Sequence, residues 1–132
     1  SSCTSEHSME HALSAFHPEL PHGAGLIMLS QAYFTFFAEK VPGRMMKMAE
    51  AMGEKLSDYL PLERHLSFVH ALRKLQTQCG VAELKMSDYG ITENEIEKLA
   101  KNAHDTMGFL FTLDPVKISF SDTVKIMRDA YK

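Results

Sequence analysis

Apolar residues recur at spacings of three and four along most of this chain, which is the period of an amphipathic helix. The first such segment covers residues 5–16, where Met9, Ala12, Leu13 and Phe16 are apolar and neither Pro nor Gly intervenes. No buried-strand pattern followed by a helix is visible. The pattern therefore predicts an all-α fold, a bundle of about five or six helices that forms a single domain over residues 1–132.

The second and third predicted helices are strongly apolar. Residues 23–38 are apolar on more than one face, as in a central buried helix. Residues 44–58 carry methionines at helical spacing; such a stripe could form a pliable binding surface, but core packing is the more common role.

Turn and capping residues bound the later helices. One helix is expected to open at Pro61 and to stop at Gly80, and the next to begin at a capping box that runs from Thr92 to Glu95. That helix is predicted to reach about residue 106. A last helix extends to residue 131, with a cap predicted at residue 121 or 122, which are Ser and Asp.

Four of the seven histidines lie in the first 22 residues: His7, His11, His17 and His22. Neutral imidazole is the commonest metal ligand and also carries protons near neutral pH. His7 and His11 are one helical turn apart and share a face. A second helix is predicted to restart near Pro21, which places His22 at a helix start, where the helix dipole disfavours imidazolium. Two helices could thus aim His7 and His22 at one point.

Two other interpretations of the cluster follow from spacing alone. His7, His11 and His17 match the histidine spacing of the long zinc-protease signature, but Ser8 stands where that signature needs its general base, which argues against a protease. Four unconnected histidines at the surface or at helix ends remain the alternative. Glu10 and Glu19 are candidate carboxylate ligands, although Glu10 is expected on the solvent side of its helix or as a neighbour of the site.

The histidine-rich run E-H-S-M-E-H-A-L-S-A-F-H-P-E-L-P-H-G-A-G-L-I-M-L-S, residues 6–30, resembles the second signature of the iron-dependent (group III) alcohol dehydrogenases. The likeness continues through A-L-R-K-L-Q-T-Q-C-G-V, Y-G-I-T-E-N-E-I-E-K-L-A and the closing D-P-V-K-I-S-F-S-D-T-V-K-I-M-R-D-A-Y. It covers nearly the whole chain. The resemblance implies the C-terminal helical domain of a dehydroquinate-synthase-like, iron alcohol dehydrogenase fold.

By position, the resemblance implies that His7 and His22 are metal ligands and that His11 lies beside the metal and the nicotinamide as a proton-relay or substrate-side group. His17 matches no fixed role. His7 and His22 are 15 positions apart (22 − 7), one more than in the best-known members, so the path of the intervening loop is expected to differ. The implied metal is iron, with zinc as an alternative.

The length of the chain limits which parts of such an enzyme it can contain. At 132 residues and 14.9 kDa it is one domain. Enzymes of the resembled family also have an α/β domain that holds NAD or NADP through a Gly-rich turn, and this chain contains no G-x-G-x-x-G run. We therefore expect a C-terminal portion that is inactive alone. Its partners would be the N-terminal nucleotide-binding domain of the same protein and a small alcohol or aldehyde. A second copy of the chain, in a homo-oligomer, is a further candidate partner.

Composition excludes other partners and suggests a compartment. The formal net charge is −3 and no basic stripe with interleaved aromatics occurs, which argues against nucleic acid. The longest apolar stretch, residues 24–37, is too short to span a bilayer, so no membrane association is expected. Cys3 and Cys79 lack C-x-x-C spacing and are predicted to be free thiols in a reducing cytoplasm.

Two further hypotheses stand beside the dehydrogenase. The chain could be a free-standing helical module that binds a metal through His7, His11 and His22, or through His17 instead, without catalysis. It could also be an assembly module with no metal role. Under the dehydrogenase hypothesis, residues 1–16 are expected to be the least stable segment, because their histidines would face a metal and a domain outside this chain.

Overall fold

The computed structural model describes residues 3–132, and over that range all of the regular secondary structure is helical, without strands. The all-α prediction is confirmed. Short 3₁₀ segments join six α-helices in this range: α1 (Ser5–Phe16), α2 (His22–Lys40), α3 (Pro42–Ala51), α4 (Ser67–Gln78), α5 (Ile96–Met107) and α6 (Phe120–Ala130). The longest 3₁₀ segments are Pro61–Leu66 and Gly108–Leu113.

Helix α2 lies at the centre of the bundle. It packs against α1, α4 and α6, while α1 also packs along α5 and α3 packs along α4. The core is continuous across these helices, and several of its side chains have no solvent exposure: Met9, Leu13, Leu29, Leu99 and Met127. The prediction of a central buried helix over residues 23–38 therefore describes α2 well, although the helix starts one residue earlier and ends two residues later.

Backbone chemistry explains where the third predicted helix stops. Helix α3 ends at Ala51 rather than at residue 58, because Gly53 takes a φ of 90°, the left-handed conformation that ends helices. The segment after Pro61 is first a 3₁₀ turn, and the α-helix begins at Ser67. Gly80, with a φ of 73°, follows α4 as predicted.

The two predicted caps differ in outcome. The capping box at residues 92–95 is confirmed: the Glu95 carboxylate accepts from the Thr92 backbone N–H at 2.9 Å. The cap of α6 is Ser119, not residue 121 or 122, and Asp122 is the third residue of the same capping box. Ser119, Ser121 and Asp122 all carry a side-chain oxygen that could cap the helix, and only the backbone conformation distinguishes them.

No helix in residues 3–132 is both long and apolar enough to cross a lipid bilayer. Cys3 and Cys79 are both free and exposed, as predicted.

Helix α1 is anchored at its first turn. The Ser5 backbone N–H donates to the Asp114 carboxylate at 3.3 Å, and the Tyr33 hydroxyl of α2 donates to the same oxygen at 3.0 Å. Burial raises the pKa of Asp114, and the Ser5 and Tyr33 donors oppose that rise by stabilising the carboxylate. The start of α1 is thus tied to α2 and to the segment before α6.

This anchoring changes the expectation for the stability of α1. Met9, Ala12 and Leu13 are fully buried between α2 and α5, so opening α1 exposes core side chains. We expect amide hydrogen exchange in Ser5–Phe16 to be as slow as in α2, apart from the first turn. Exchange in α1 at least 100 times faster than in α2 would restore the expectation of a loosely held segment. Residues 1 and 2 lie outside the described range.

Candidate metal centre

Three histidines meet where α1 crosses the start of α2. His7 and His11 stand one turn apart on the same face of α1, and His22 is the first residue of α2. Each offers one ring nitrogen, and these three nitrogens lie within 4.8 Å of one another. The ring of His22 is 5.3 Å, centroid to centroid, from the rings of both His7 and His11. The prediction that two helices aim His7 and His22 at one point is confirmed by this geometry.

The cluster lies at the surface rather than in the core. His11 and His22 are exposed and His7 is partly buried. Burial lowers the pKa of His7, and the neighbouring imidazoles of His22 and His11 lower it further, against an opposing effect of Glu10. A lowered pKa keeps the imidazole neutral, and a neutral ring nitrogen has the lone pair that a metal needs.

Glu10 is the residue beside the cluster whose position the sequence predicted least well. The expectation that it lies on the solvent side is wrong, since its side chain is 0% exposed; the alternative, a neighbour of the site, is confirmed. Its carboxylate contacts Nδ1 of His22 and accepts a hydrogen bond from the Ser14 hydroxyl one turn later on α1. A buried carboxylate therefore lies directly behind one of the candidate ligands.

The room for this carboxylate comes from a glycine on the facing helix. A Cβ atom at Gly25 would lie 2.7 Å from Cγ of Glu10 and 2.9 Å from its Oε1. Real Cβ atoms do not approach other atoms so closely. Helix α2 can therefore cross over Glu10 only because residue 25 has no side chain. The signals in the sequence were the spacing of Glu10 and Ser14, four apart on α1, and the small residues that follow His22.

The other candidates lie apart from the cluster. His17 turns toward α5, where its Nε2 is 3.3 Å from the Glu95 carboxylate, so the alternative in which it is a metal ligand has no support from its position. Glu19 is exposed on the loop. The buried Ser8 hydroxyl donates to the Met107 carbonyl at 2.9 Å, so it belongs to the α1–α5 packing and not to a protease site.

The donor set fits a first-row divalent metal. Imidazole nitrogens suit Fe²⁺ and Zn²⁺, and metal-bound histidines usually donate their second ring N–H to a carboxylate, which is the relation of His22 to Glu10. The exposed side of the cluster leaves room for ligands from another part of the protein.

His65, His70 and His104 lie on later helices; His104 stacks on Phe111 with ring centroids 3.9 Å apart, which is a packing role.

The chain is similar to known proteins in sequence and in fold. Residues 1–131 match the model of the Fe-containing alcohol dehydrogenase family, C-terminal part. Among curated proteins, the human mitochondrial hydroxyacid-oxoacid transhydrogenase is 31% identical over 85 residues, which are 64% of this chain and 18% of that protein. The mouse protein of the same name is 29% identical over the same lengths. The chain thus spans less than a fifth of these curated relatives.

Solved structures give the fold independently. An alcohol dehydrogenase from Oenococcus oeni superposes with a TM-score of 0.81 and 25% identity, over 97% of this chain and 32% of that chain. A 1,3-propanediol oxidoreductase gives a TM-score of 0.83 at 22% identity, again over 97% and 32%. The NADH-dependent butanol dehydrogenase A of Thermotoga maritima gives 0.76 at 24%, over 97% and 33%. Since the family model covers nearly every residue and the six helices superpose on these enzymes, the chain belongs to the Fe-containing alcohol dehydrogenase family and is its C-terminal, all-helical domain.

Proposed function

We propose that this chain carries part of the divalent metal site of an NAD(P)-linked alcohol dehydrogenase, with His7 and His22 as ligands and His11 as the proton-transferring group. The observation that carries the proposal is the approach of the three ring nitrogens to within 4.8 Å across α1 and α2. Family membership supports it, because the chain matches the C-terminal part of a family described as Fe-containing. Iron is the proposed metal, with zinc as the alternative.

In this proposal, the positions of the three histidines suggest metal binding for two of them and proton transfer for the third. A divalent metal in such a site supplies Lewis-acid polarisation of an alcohol or carbonyl oxygen while hydride passes to or from a nicotinamide. Burial lowers the pKa of His7, which favours its neutral ring, and Glu10 contacts His22 from the interior, so both histidines suit metal binding. His11 is exposed on the same face and therefore faces the space from which a substrate would approach. It is placed to move the substrate hydroxyl proton.

Completion of the site is assigned to a partner domain. The chain covers about a third of the solved relatives, and its cluster is open on one side. We infer that an N-terminal domain of the same protein binds NAD or NADP, adds the missing ligands and closes the site over a small alcohol or aldehyde. The two free cysteines favour a reducing compartment such as the cytoplasm.

A second candidate function rests on the same geometry. All three imidazoles come from this chain, so a helical module that binds metal through His7, His11 and His22 without catalysis is also consistent with the site. The two proposals differ in the role of His11, which is a ligand in the second and a proton carrier in the first. Substitution of each histidine therefore separates them.

The activity experiment compares the intact protein with residues 1–132 alone. We expect the intact protein to reduce NAD(P)⁺ with a primary alcohol, to lose that activity in a chelator and to regain it with Fe²⁺ or Zn²⁺. The isolated chain should show no turnover, since no nucleotide-binding motif occurs in it. Robust nicotinamide-linked turnover by residues 1–132, or activity of the intact protein that survives complete metal removal, would overturn the proposal.

A further inference from the structure

Glu10 is a fully buried carboxyl group with two polar contacts, both within the α1–α2 crossing. Burying a carboxylate is costly unless hydrogen-bond donors surround it, so a sequence keeps one in a helix interface only where its partners compensate for the lost water. Here the partners are the Ser14 hydroxyl and Nδ1 of His22. The rest of that helix face is core: Met9 and Leu13 are fully buried beside it.

The contact determines which nitrogen of His22 faces outward. The His22 side chain is 49% exposed while Glu10 is 0% exposed, so the ring spans from the protein interior to the surface. An ionised carboxylate only accepts hydrogen bonds, so it selects the imidazole tautomer that carries its proton on Nδ1. That tautomer leaves an unprotonated lone pair on Nε2, on the edge of the ring away from Glu10.

We propose that Glu10 is a positioning residue that fixes His22 in the metal-binding tautomer and orientation, and that Gly25 is needed for this because a side chain there would displace Glu10. This inference rests on the proposed metal site. The steric part is direct: a Cβ on Gly25 would overlap Cγ and Oε1 of Glu10, at 2.7 and 2.9 Å. The carboxylate contacts Ser14 and His22, so moving it to make room for a Cβ would disturb both contacts.

Gly23 provides a matched control for Gly25. Both glycines lie in the first turn of α2 beside His22, but a Cβ on Gly23 would meet no atom within 4 Å. Gly→Ala at either position makes the same change in helix propensity and in the unfolded chain. Any difference between the two variants therefore reports the displacement of Glu10.

The experiment measures zinc affinity of the intact protein by competition with a chelator of known affinity, for wild type and four variants. We expect Glu10→Ala and Gly25→Ala to bind zinc about 10- to 100-fold more weakly, the range typical for loss of a carboxylate behind a metal-bound histidine. Glu10→Gln should lose less than 10-fold, because its amide oxygen still accepts from Nδ1 of His22. Gly23→Ala should match wild type.

A second readout does not need bound metal. In metal-free intact protein with ¹⁵N-labelled histidine, the His22 ring should show the Nδ1–H tautomer in wild type, Glu10→Gln and Gly23→Ala, and a mixture in Glu10→Ala and Gly25→Ala. Loss of packing alone would not move this signal. If wild type binds no metal, the proposed function fails, and the tautomer still decides the role of Glu10.

Two results would overturn the inference. One is a wild-type His22 ring protonated at Nε2, since that nitrogen would then have no lone pair for a metal. The other is equal zinc affinity of Gly25→Ala and Gly23→Ala. If Glu10→Ala does not fold, the Glu10→Gln and Gly25→Ala pair carries the comparison, and a loss in Glu10→Gln as large as in Gly25→Ala contradicts the proposed acceptor role.

Discussion

Replacing His7 or His22 by alanine in the intact protein is expected to remove the bound metal, whereas His11→Ala should keep the metal and lose turnover. His7 and His22 each contribute a ring nitrogen to the cluster, and losing a ligand costs far more affinity than losing a neighbour of the site. His11→Ala instead removes a proton-transfer group, an effect typically of about 100- to 10,000-fold on rate. Elemental analysis and kcat of the same preparations test both statements.

His17→Ala is the control within the same segment. His17 lies beside Glu95, away from the cluster, so its loss should leave both metal content and kcat near wild type. Loss of metal in all three of the His7, His11 and His22 variants would instead support the non-catalytic metal-binding module. Full metal retention in all three would remove the metal assignment altogether.

The second large effect concerns folding stability and its dependence on pH. Glu6, on α1, lines an open groove of about 400 Å³ whose other walls are mostly apolar, including Leu26, Phe34 and Leu75. Burial in these surroundings raises the pKa of Glu6 from 4.5 to about 7. In the unfolded chain the carboxyl loses its proton near pH 4.5, so between pH 4.5 and 7 the folded state binds more protons than the unfolded state.

Stability should therefore fall as pH rises through this window and then level off above pH 7. Glu6→Gln removes the cost of the buried charge and is expected to raise the free energy of unfolding above pH 7.5 by roughly 3 kcal/mol, because the pKa is about 7 in the folded state and 4.5 in the unfolded chain. At pH 4 or below the carboxyl is protonated in both states, and the variant should resemble wild type. Urea unfolding of the metal-free chain at pH 4 and pH 8 measures both values.

Glu19→Gln serves as the comparison for Glu6→Gln. Glu19 is exposed on the loop between α1 and α2, so the same chemical change there should alter stability by less than about 0.5 kcal/mol at either pH. A gain for Glu6→Gln that is equal at the two pH values would show that side-chain packing, and not the carboxyl charge, is responsible.

Local chemistry accounts for the parts of the fold that the sequence predicts well. The bounds of α1 coincide with the predicted residues 5–16, because the following Pro18 and Pro21 leave little freedom in where the helix ends. The capping box at Thr92 and the stop at Gly80 are also local features. Helix α3 is shorter than predicted because Gly53 takes a left-handed conformation. The apolar spacing continues past Gly53 and therefore did not indicate this turn.

In the candidate site, too, the features set by local sequence were predicted and those set by helix packing were not. Helical spacing and a helix start are enough to bring His7, His11 and His22 together. The burial of Glu10 depends on the angle and distance at which α2 crosses α1, and Gly25 sets that distance from 15 positions away (25 − 10). No periodicity along a single helix contains this information. A charged residue between Met9 and His11 is ordinary in a solvent-facing position, and only the crossing converts it into an interior one.

The exposure of the histidine cluster has a thermodynamic consequence for the intact enzyme. His11 and His22 lie at the surface. A metal bound there whose remaining ligands come from another domain would link this domain to the other one. Metal binding would then favour closure of the two domains, and closure would favour metal binding by the same free energy, as thermodynamic linkage requires. Chelation should separate the two domains, and a nucleotide that favours the closed form should slow the escape of the ion. Loss of metal would in that case appear first as a change in shape, before any loss of fold.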